Sequence, residues 1–305
     1  MTPGTTVASG GPSADLASGP ATAVASGPAA DTSSSLSSSV SASLAAALGL
    51  VRLPGATLAE VDAAAALQHR TDRKYLVPLE SARAFVDRLA DSHRVLDLDG
   101  RRTTTYLSTY FDTPRLGAWH AHVQGRRRRW KVRTRLYAED GLCRVEVKTK
   151  DGRGATVKHA LRATARSYGR LDARSAEFVD DVLRRAGIPV TTADLAPAAE
   201  IRYVRVALAD LRLGTRVTLD GGLSCHRDAR TAGLAPDVVL VETKGTARPA
   251  PADRLLLGLG ARPVSLSKYI VGQSLLTPGL PDNDVRRLAR THFRPGSSTE
   301  RSTAA

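Results

Sequence analysis

Apolar and polar residues alternate one for one through several runs of this chain, the spacing that a half-buried strand imposes on its two faces. In RRWKVRTRLY, Arg129, Lys131, Arg133 and Arg135 fall on one face and Trp130, Val132, Thr134 and Leu136 on the other. CRVEVKTK separates Arg144, Glu146, Lys148 and Lys150 from Val145, Val147 and Thr149. RTDRKY groups Arg70, Asp72 and Lys74, YVRVAL sets Tyr203 beside Arg205, and RVTLD groups Arg216, Thr218 and Asp220. VVLVETKG leads from Val238 and Leu240 to Glu242 and Lys244. TTTYLSTYFDT and GATVKHAL are also strand-like, and DTPRLG, AEDG and KDGRG read as the turns between strands. Helical spacing appears in LESARAFVDRLADSH, at Leu79, Ala82, Phe85, Val86 and Leu89. LDARSAEFVDDVLRRAGI predicts a second helix, ended by Gly187 and Pro189, SLSKYIVGQSLL predicts another, and LAEVDAAAALQHR reads as a short helix or an entry segment. Seven or eight strands in hairpin order with a few helices predict an antiparallel α+β domain, a barrel rather than a doubly wound sheet.

Composition bounds this domain. Residues 1–50 are nearly all Ser, Ala, Gly, Thr and Pro, without Lys or Arg, and carry only Asp15 and Asp31 as charges. Such a stretch predicts a disordered tail, because little apolar surface is available to offset its ordering entropy. The folded domain is placed at 55–277, with a polar C-terminal tail over 278–305. No basic and apolar leader opens the chain and LAAALGL is too short to cross a bilayer, so the expectation is a cytoplasmic protein without a transmembrane segment. Cys143 and Cys225 read as small buried residues rather than a disulfide framework.

Charge changes the picture most. The net charge of +14 includes the tail's two acids, so the rest of the chain is more cationic still and an anionic partner is expected. One charged strand face is ordinarily a solvated face. Here the charged faces are mostly cationic in strand after strand, which an ordinary mixed surface does not show. Strands that close with their apolar faces outward, against helices, would line a tunnel with Arg and Lys. Arg suits phosphate oxygens through paired N–H donors, and Lys acts as a compact point charge.

RKYLV at 73–77, YFDT at 110–113, KVRTRLY at 131–137, VEVKTK at 145–150, YVRVAL at 203–208, RVTLD at 216–220, LVETKG at 240–245 and LSKYIVG at 266–272 follow in order. Together they resemble the VTC (vacuolar transporter chaperone) polyphosphate polymerase domain of the triphosphate tunnel metalloenzyme, or CYTH-like, superfamily, from about Gln68 to Leu276. The resemblance implies a tunnel-shaped antiparallel β-barrel braced by helices. It implies phosphate-binding cations at Lys74, Arg133, Arg135, Lys148, Lys158, Arg205, Lys244 and Lys268, with Arg133, Arg135, Lys148, Arg205 and Lys268 at the reacting phosphates. Tyr203 and Ser267 match hydroxyl positions near those phosphates. Glu242 matches the carboxylate that binds manganese or magnesium, and Glu146 either assists it or neutralises neighbouring lysines. Lys150 stands where the family has a histidine, and Ser265 where it has a lysine.

The implied activity is transfer of the γ-phosphoryl of ATP to a growing inorganic polyphosphate chain, with a possible membrane-protein partner. A tunnel triphosphatase or phosphohydrolase is the second reading, and a non-catalytic polyphosphate-binding protein the third. Nucleic acid is disfavoured, because aromatics make up 4% of residues and inward charges cannot grip a duplex. His120 and His122, taken as neighbours on one side of a strand, lack a third ligand. Trp119 and Trp130 are expected to pack, and Arg126 to Arg129 to form a tunnel rim or a solvated hairpin end.

Overall fold

The computed structural model describes residues 31–64, 71–151, 156–245, 248–281, 283 and 285–296. Its helices are α1 (Asp31–Ala47), α2 (Leu58–Ala64), α3 (Leu79–Leu89), α4 (Gly117–Val123), α5 (Ala173–Arg185), α6 (Pro251–Gly258), α7 (Lys268–Leu276) and α8 (Arg286–His292). Its strands are β1 (Gly55–Ala56), β2 (Thr71–Pro78), β3 (Arg94–Leu96), β4 (Thr104–Asp112), β5 (Arg129–Tyr137), β6 (Leu142–Lys150), β7 (Thr156–Thr164), β8 (Ala196–Asp210), β9 (Thr215–Arg227), β10 (Arg230–Leu234), β11 (Val238–Gly245) and β12 (Phe293–Pro295).

One sheet runs β2-β11-β9-β8-β4-β5-β6-β7, antiparallel at each step, while β10 and β12 extend from the far end of β9 and β3 pairs with β8. Among the described residues the end strands β2 and β7 are not paired to each other. Part of the free edge of β2 is covered by the segment between α6 and α7, where Val264 N–H donates to the Lys74 carbonyl at 2.7 Å. The result is a tunnel-shaped barrel with one seam that strand pairing does not close.

Outward side chains pack as the alternation predicts. Tyr75, Val77, Val206, Leu219, Val239 and Val241 meet α1, α3 and α6 in one core, and Trp130, Val132, Val145 and Val147 meet α5 in another. Each such side chain contributes on the order of 1.5–3 kcal/mol by leaving water. The inward side is not uniformly charged. Leu76, Tyr106, Ile201, Tyr203 and Leu240 form part of a third core on which α7 rests through Tyr269 and Ile270. Gly272 allows that close approach, since a Cβ there would stand 2.9 Å from Cys225 Sγ and 3.2 Å from Ile201 Cδ1.

Three expectations shift. The tail predicted over 1–50 gives way to α1 from Asp31, because Leu44 and Leu48, one helical turn apart, are buried with Leu50 and Leu53 against the sheet. The predicted polar tail from 278 contains α8 and β12, which bury Val285, Leu288 and Phe293 and pair with β10. His120 and His122 lie on the short helix α4, not on a strand. The cysteines are free and buried, and Trp119 and Trp130 pack in cores. Among the described residues no helix is long and apolar enough to cross a membrane.

Candidate phosphate-binding tunnel

Register aligns the inward residues into rows. Arg133 lies opposite Tyr110 on β4 and Glu146 on β6, and Arg135 lies opposite Ser108 and Arg144. Arg133 donates to Glu146 at 2.5 Å and to the Tyr110 hydroxyl at 2.8 Å, and Arg135 donates to Ser108 at 3.2 Å. Lys158, across from Lys148 on β7, pairs with Glu146 at 2.6 Å. On the opposite wall, Arg205 grips Asp220 through two bonds of 2.6 and 2.8 Å, and Lys268 Nζ reaches the same carboxylate at 2.6 Å. Burial alone would raise the Asp220 carboxyl, but Arg205 and Lys268 hold it well below the usual carboxylate range. Lys74, Glu242 and Thr218 form a further row across β2, β11 and β9, and Lys244 stands 3.8 Å from Glu242. Burial would push the Glu242 carboxyl up, yet Lys244, Lys74, Arg205 and Lys268 bring it down to about 2, so it is ionised at neutral pH.

Aromatic faces join the carboxylates at the centre. The Tyr106 ring lies 5.0 Å from both the Arg135 and the Arg205 guanidinium and stacks on Tyr203, whose ring lies 4.5 Å from Lys268 Nζ. Such contacts stabilise a desolvated cation by about 2 kcal/mol without neutralising it, in addition to the Asp220 carboxylate that Arg205 and Lys268 share. The Tyr203 hydroxyl is buried without a hydrogen-bond partner among the described residues. Ser267 caps α7 by accepting from Ile270 N–H, and it also accepts from Lys131 Nζ at 2.8 Å. The amino end of α7 thus opens beside Lys131 and Lys268, a position whose dipole and free N–H groups favour phosphate. Burial, then Lys148, Lys74, Arg133 and Arg129, push the Lys131 ammonium down to about 7.

The profile of the VTC domain matches residues 69–277, the span that holds all of these rows. The chain belongs to the VTC domain family. Three solved structures are similar to this VTC domain at lower levels. HpAC1 of Hippeastrum, named as an adenylyl cyclase and described as having a dominant triphosphatase activity, is 18% identical over 69% of this chain and 98% of its own, with a TM-score of 0.44. A Bacillus halodurans protein named as an adenylate cyclase is 15% identical over 64% and 92%, with a TM-score of 0.42. The PH1819 protein of Pyrococcus horikoshii is 9% identical over 66% and 96%, with a TM-score of 0.37. No curated protein matches the chain significantly.

Every residue singled out for the VTC domain in the sequence lies on an inward strand position or at the start of α7. Glu146 is committed to Arg133 and Lys158. Glu242 offers a buried, ionised oxygen suited to a hard divalent cation, and no trio of His, Cys, Asp or Glu stands together among the described residues. Manganese or magnesium held at Glu242 would therefore draw its remaining oxygens from phosphate and water, as such ions commonly do at phosphate sites. Asp220, Lys131 and Tyr106 were not singled out as site residues. Asp220 and Lys131 share the strand face of Thr218 and Arg133, so alternation carried that signal. Tyr106 becomes visible only once the register stacks it between two guanidiniums.

Proposed function

We propose that this protein is a metal-dependent phosphotransferase that lengthens inorganic polyphosphate with the γ-phosphoryl of ATP. The observation that carries the reading is the convergence of Arg133, Arg135, Arg205 and Lys268 on one lumen beside the ionised Glu242, in a chain of the VTC domain family.

No protein nucleophile is required, because the terminal oxygen of the polymer attacks the γ-phosphorus of ATP while the bond from that phosphorus to the β,γ-bridging oxygen breaks and ADP leaves with the electron pair. Catalysis then rests on alignment and on neutralising the charge of the transferred group. Arg133 and Arg135, held by Tyr110 and Ser108, grip phosphate oxygens from one wall, while Arg205 and Lys268 do so from the other. Asp220 holds those two cations in place and limits their repulsion. The Tyr203 hydroxyl and the amino end of α7 donate hydrogen bonds to the phosphates, with Ser267 setting that end of the helix. Lys74, Lys148, Lys158 and Lys244 hold neighbouring phosphates. Glu242 would hold manganese or magnesium, which would supply further charge neutralisation.

Incubating the purified protein with ATP and manganese, and separating long-chain phosphate from orthophosphate, tests the reading. Polymer is the expected product. Orthophosphate alone would make the protein a hydrolase of the same bond, and absence of turnover with retained polyphosphate binding would make it a binding protein.

A further inference from the structure

Thr218 carries a polar group for which the fold supplies no use. Its row crosses four strands: Lys74 on β2, Glu242 on β11, Thr218 on β9 and Ala207 on β8 lie directly opposite one another in turn. Alternation points Thr218 to the lumen, because its chain neighbours Val217 and Leu219 pack outward in the core with α3 and α6. Thr218 is 5% exposed, and its hydroxyl is buried with no hydrogen-bond partner among the described residues. The inward groups two residues away along β9 are engaged elsewhere. Asp220 accepts from Arg205 and Lys268, and Arg216 donates to the Val61 carbonyl at 2.9 Å and to Asp62 at 3.0 Å.

For packing alone valine would serve better, since it has the same shape and a buried unpaired hydroxyl has given up its bonds to water without a replacement. The hydroxyl becomes useful when something polar enters the row. Glu242 is its direct neighbour across β9 and β11, and the Cβ atoms of such a pair stand about 5 Å apart. A hard divalent ion held by one carboxylate keeps several waters, and each of those waters is a donor in need of an acceptor. Lys74 and Lys244, the ammonium groups nearest Glu242 in register and distance, donate only. Ala207, next in the row, offers a methyl. Thr218 alone in this row combines accepting lone pairs with a donor beside Glu242.

We propose that Thr218 is a positioning residue of the Glu242 site, whose hydroxyl accepts a hydrogen bond from water carried by the divalent ion and so fixes that ion against β9. The inference rests on the metal part of the reading above. Titration of the ligand-free full chain with manganese, followed through the electron paramagnetic resonance signal of the free ion, tests it. Thr218→Val is expected to weaken manganese binding by about tenfold or more, the loss typical when a group that holds a metal's ligand is removed. Thr218→Ser, which keeps the hydroxyl, should restore it. Without metal, Thr218→Val should melt no lower than the unmodified protein, because it removes an unpaired buried hydroxyl at constant shape. Equal manganese affinity in Thr218→Val and the unmodified protein would overturn the inference. So would a loss in Thr218→Ser as large as in Thr218→Val, which would trace the effect to shape, or a lower metal-free melting temperature in Thr218→Val, which would make the hydroxyl part of the fold. Polymer formation with manganese by a protein whose Thr218→Val variant binds the ion normally would keep the polymerase reading and remove this inference. The expected dependence on Thr218 with orthophosphate as the only product would do the reverse, and failure of the unmodified protein to take up manganese would remove the metal site and Thr218's role together.

Discussion

Glu242 and Lys131 show how one lumen sets two side chains apart from their ordinary behaviour. The Glu242 carboxylate stays ionised because four cations outweigh its burial. Glu242→Gln is expected to reduce metal-dependent turnover by at least about 100-fold, the scale at which a group stabilising transition-state charge acts. Polyphosphate binding should persist, because the substitution leaves the surrounding cations less neutralised; unchanged turnover would take the metal away from this residue. For Lys131 the sign runs the other way. Its folded value of about 7 lies below the ordinary 10.5, so between those values the unfolded chain binds more protons and this group's contribution to stability rises with pH. A bound polyanion restores the charge and takes up a proton, so long-chain affinity should fall as pH rises from 7 to 9, by up to about tenfold per unit for one coupled proton. Lys131→Arg keeps the charge at all these values and should flatten that slope, with Lys148 left to supply a residual dependence; an identical slope in the variant would exclude Lys131 as its source. Alternation alone identified the face on which both groups sit. The lowering at Lys131 was not legible, because it arises from burial and then from Lys148 and Lys74 on other strands, which only the folded register brings about.

At the level of elements, the site depends on two attachments remote from phosphate. Asp253 on α6 is buried and accepts hydrogen bonds from Tyr75 on β2 at 2.8 Å and Thr243 on β11 at 2.5 Å, with Arg73 at 3.3 Å. These are the outward neighbours of Lys74, Glu242 and Lys244, so one carboxylate fixes the two strands that carry the metal-site candidates. Asp253→Ala, which leaves a largely buried cation and two hydroxyls without their acceptor, is expected to cost about 3–5 kcal/mol, measured by urea unfolding. A loss below about 1 kcal/mol would show that the strands are fixed without it. The second attachment is Gly272. An alanine there must displace α7 from Cys225 and Ile201, so Gly272→Ala should cost about 1–3 kcal/mol and weaken tripolyphosphate binding, because Ser267 and Lys268 move with the helix. The helical period of SLSKYIVGQSLL made α7 legible as an element. Its seat inside the barrel was not, since an apolar helix reads alike whether it covers a sheet or enters its concave side. The two ends of the domain were misjudged for a related reason. Leu44, Leu48, Val285, Leu288 and Phe293 are sparse among small or polar neighbours, and their value comes from the nonlocal sheet surface they cover.

For the whole molecule, the decisive quantity is the repulsion stored in a barrel whose β5–β7 wall has one inward carboxylate. Ordinary surface ion pairs weaken as salt is added. Here salt also screens Lys131 from Lys148 and Arg135 from Arg144, pairs that the register places directly opposite each other. The ligand-free protein should therefore gain thermal stability between low ionic strength and about 0.5 M monovalent salt, where the screening length falls below the roughly 5 Å spacing of strands. Long-chain polyphosphate at low salt should raise the melting temperature further, because binding only the folded state adds RT ln(1 + [L]/Kd) to its stability. That ligand-dependent increment must shrink as salt rises, since the contacts that produce it are exchanged for small ions. A melting temperature that falls with salt in the free protein would mean that the exposed pairs, such as Arg184 and Arg185 with Asp181, outweigh the lumen. An increment insensitive to salt would mean that the polymer is held by something other than this wall.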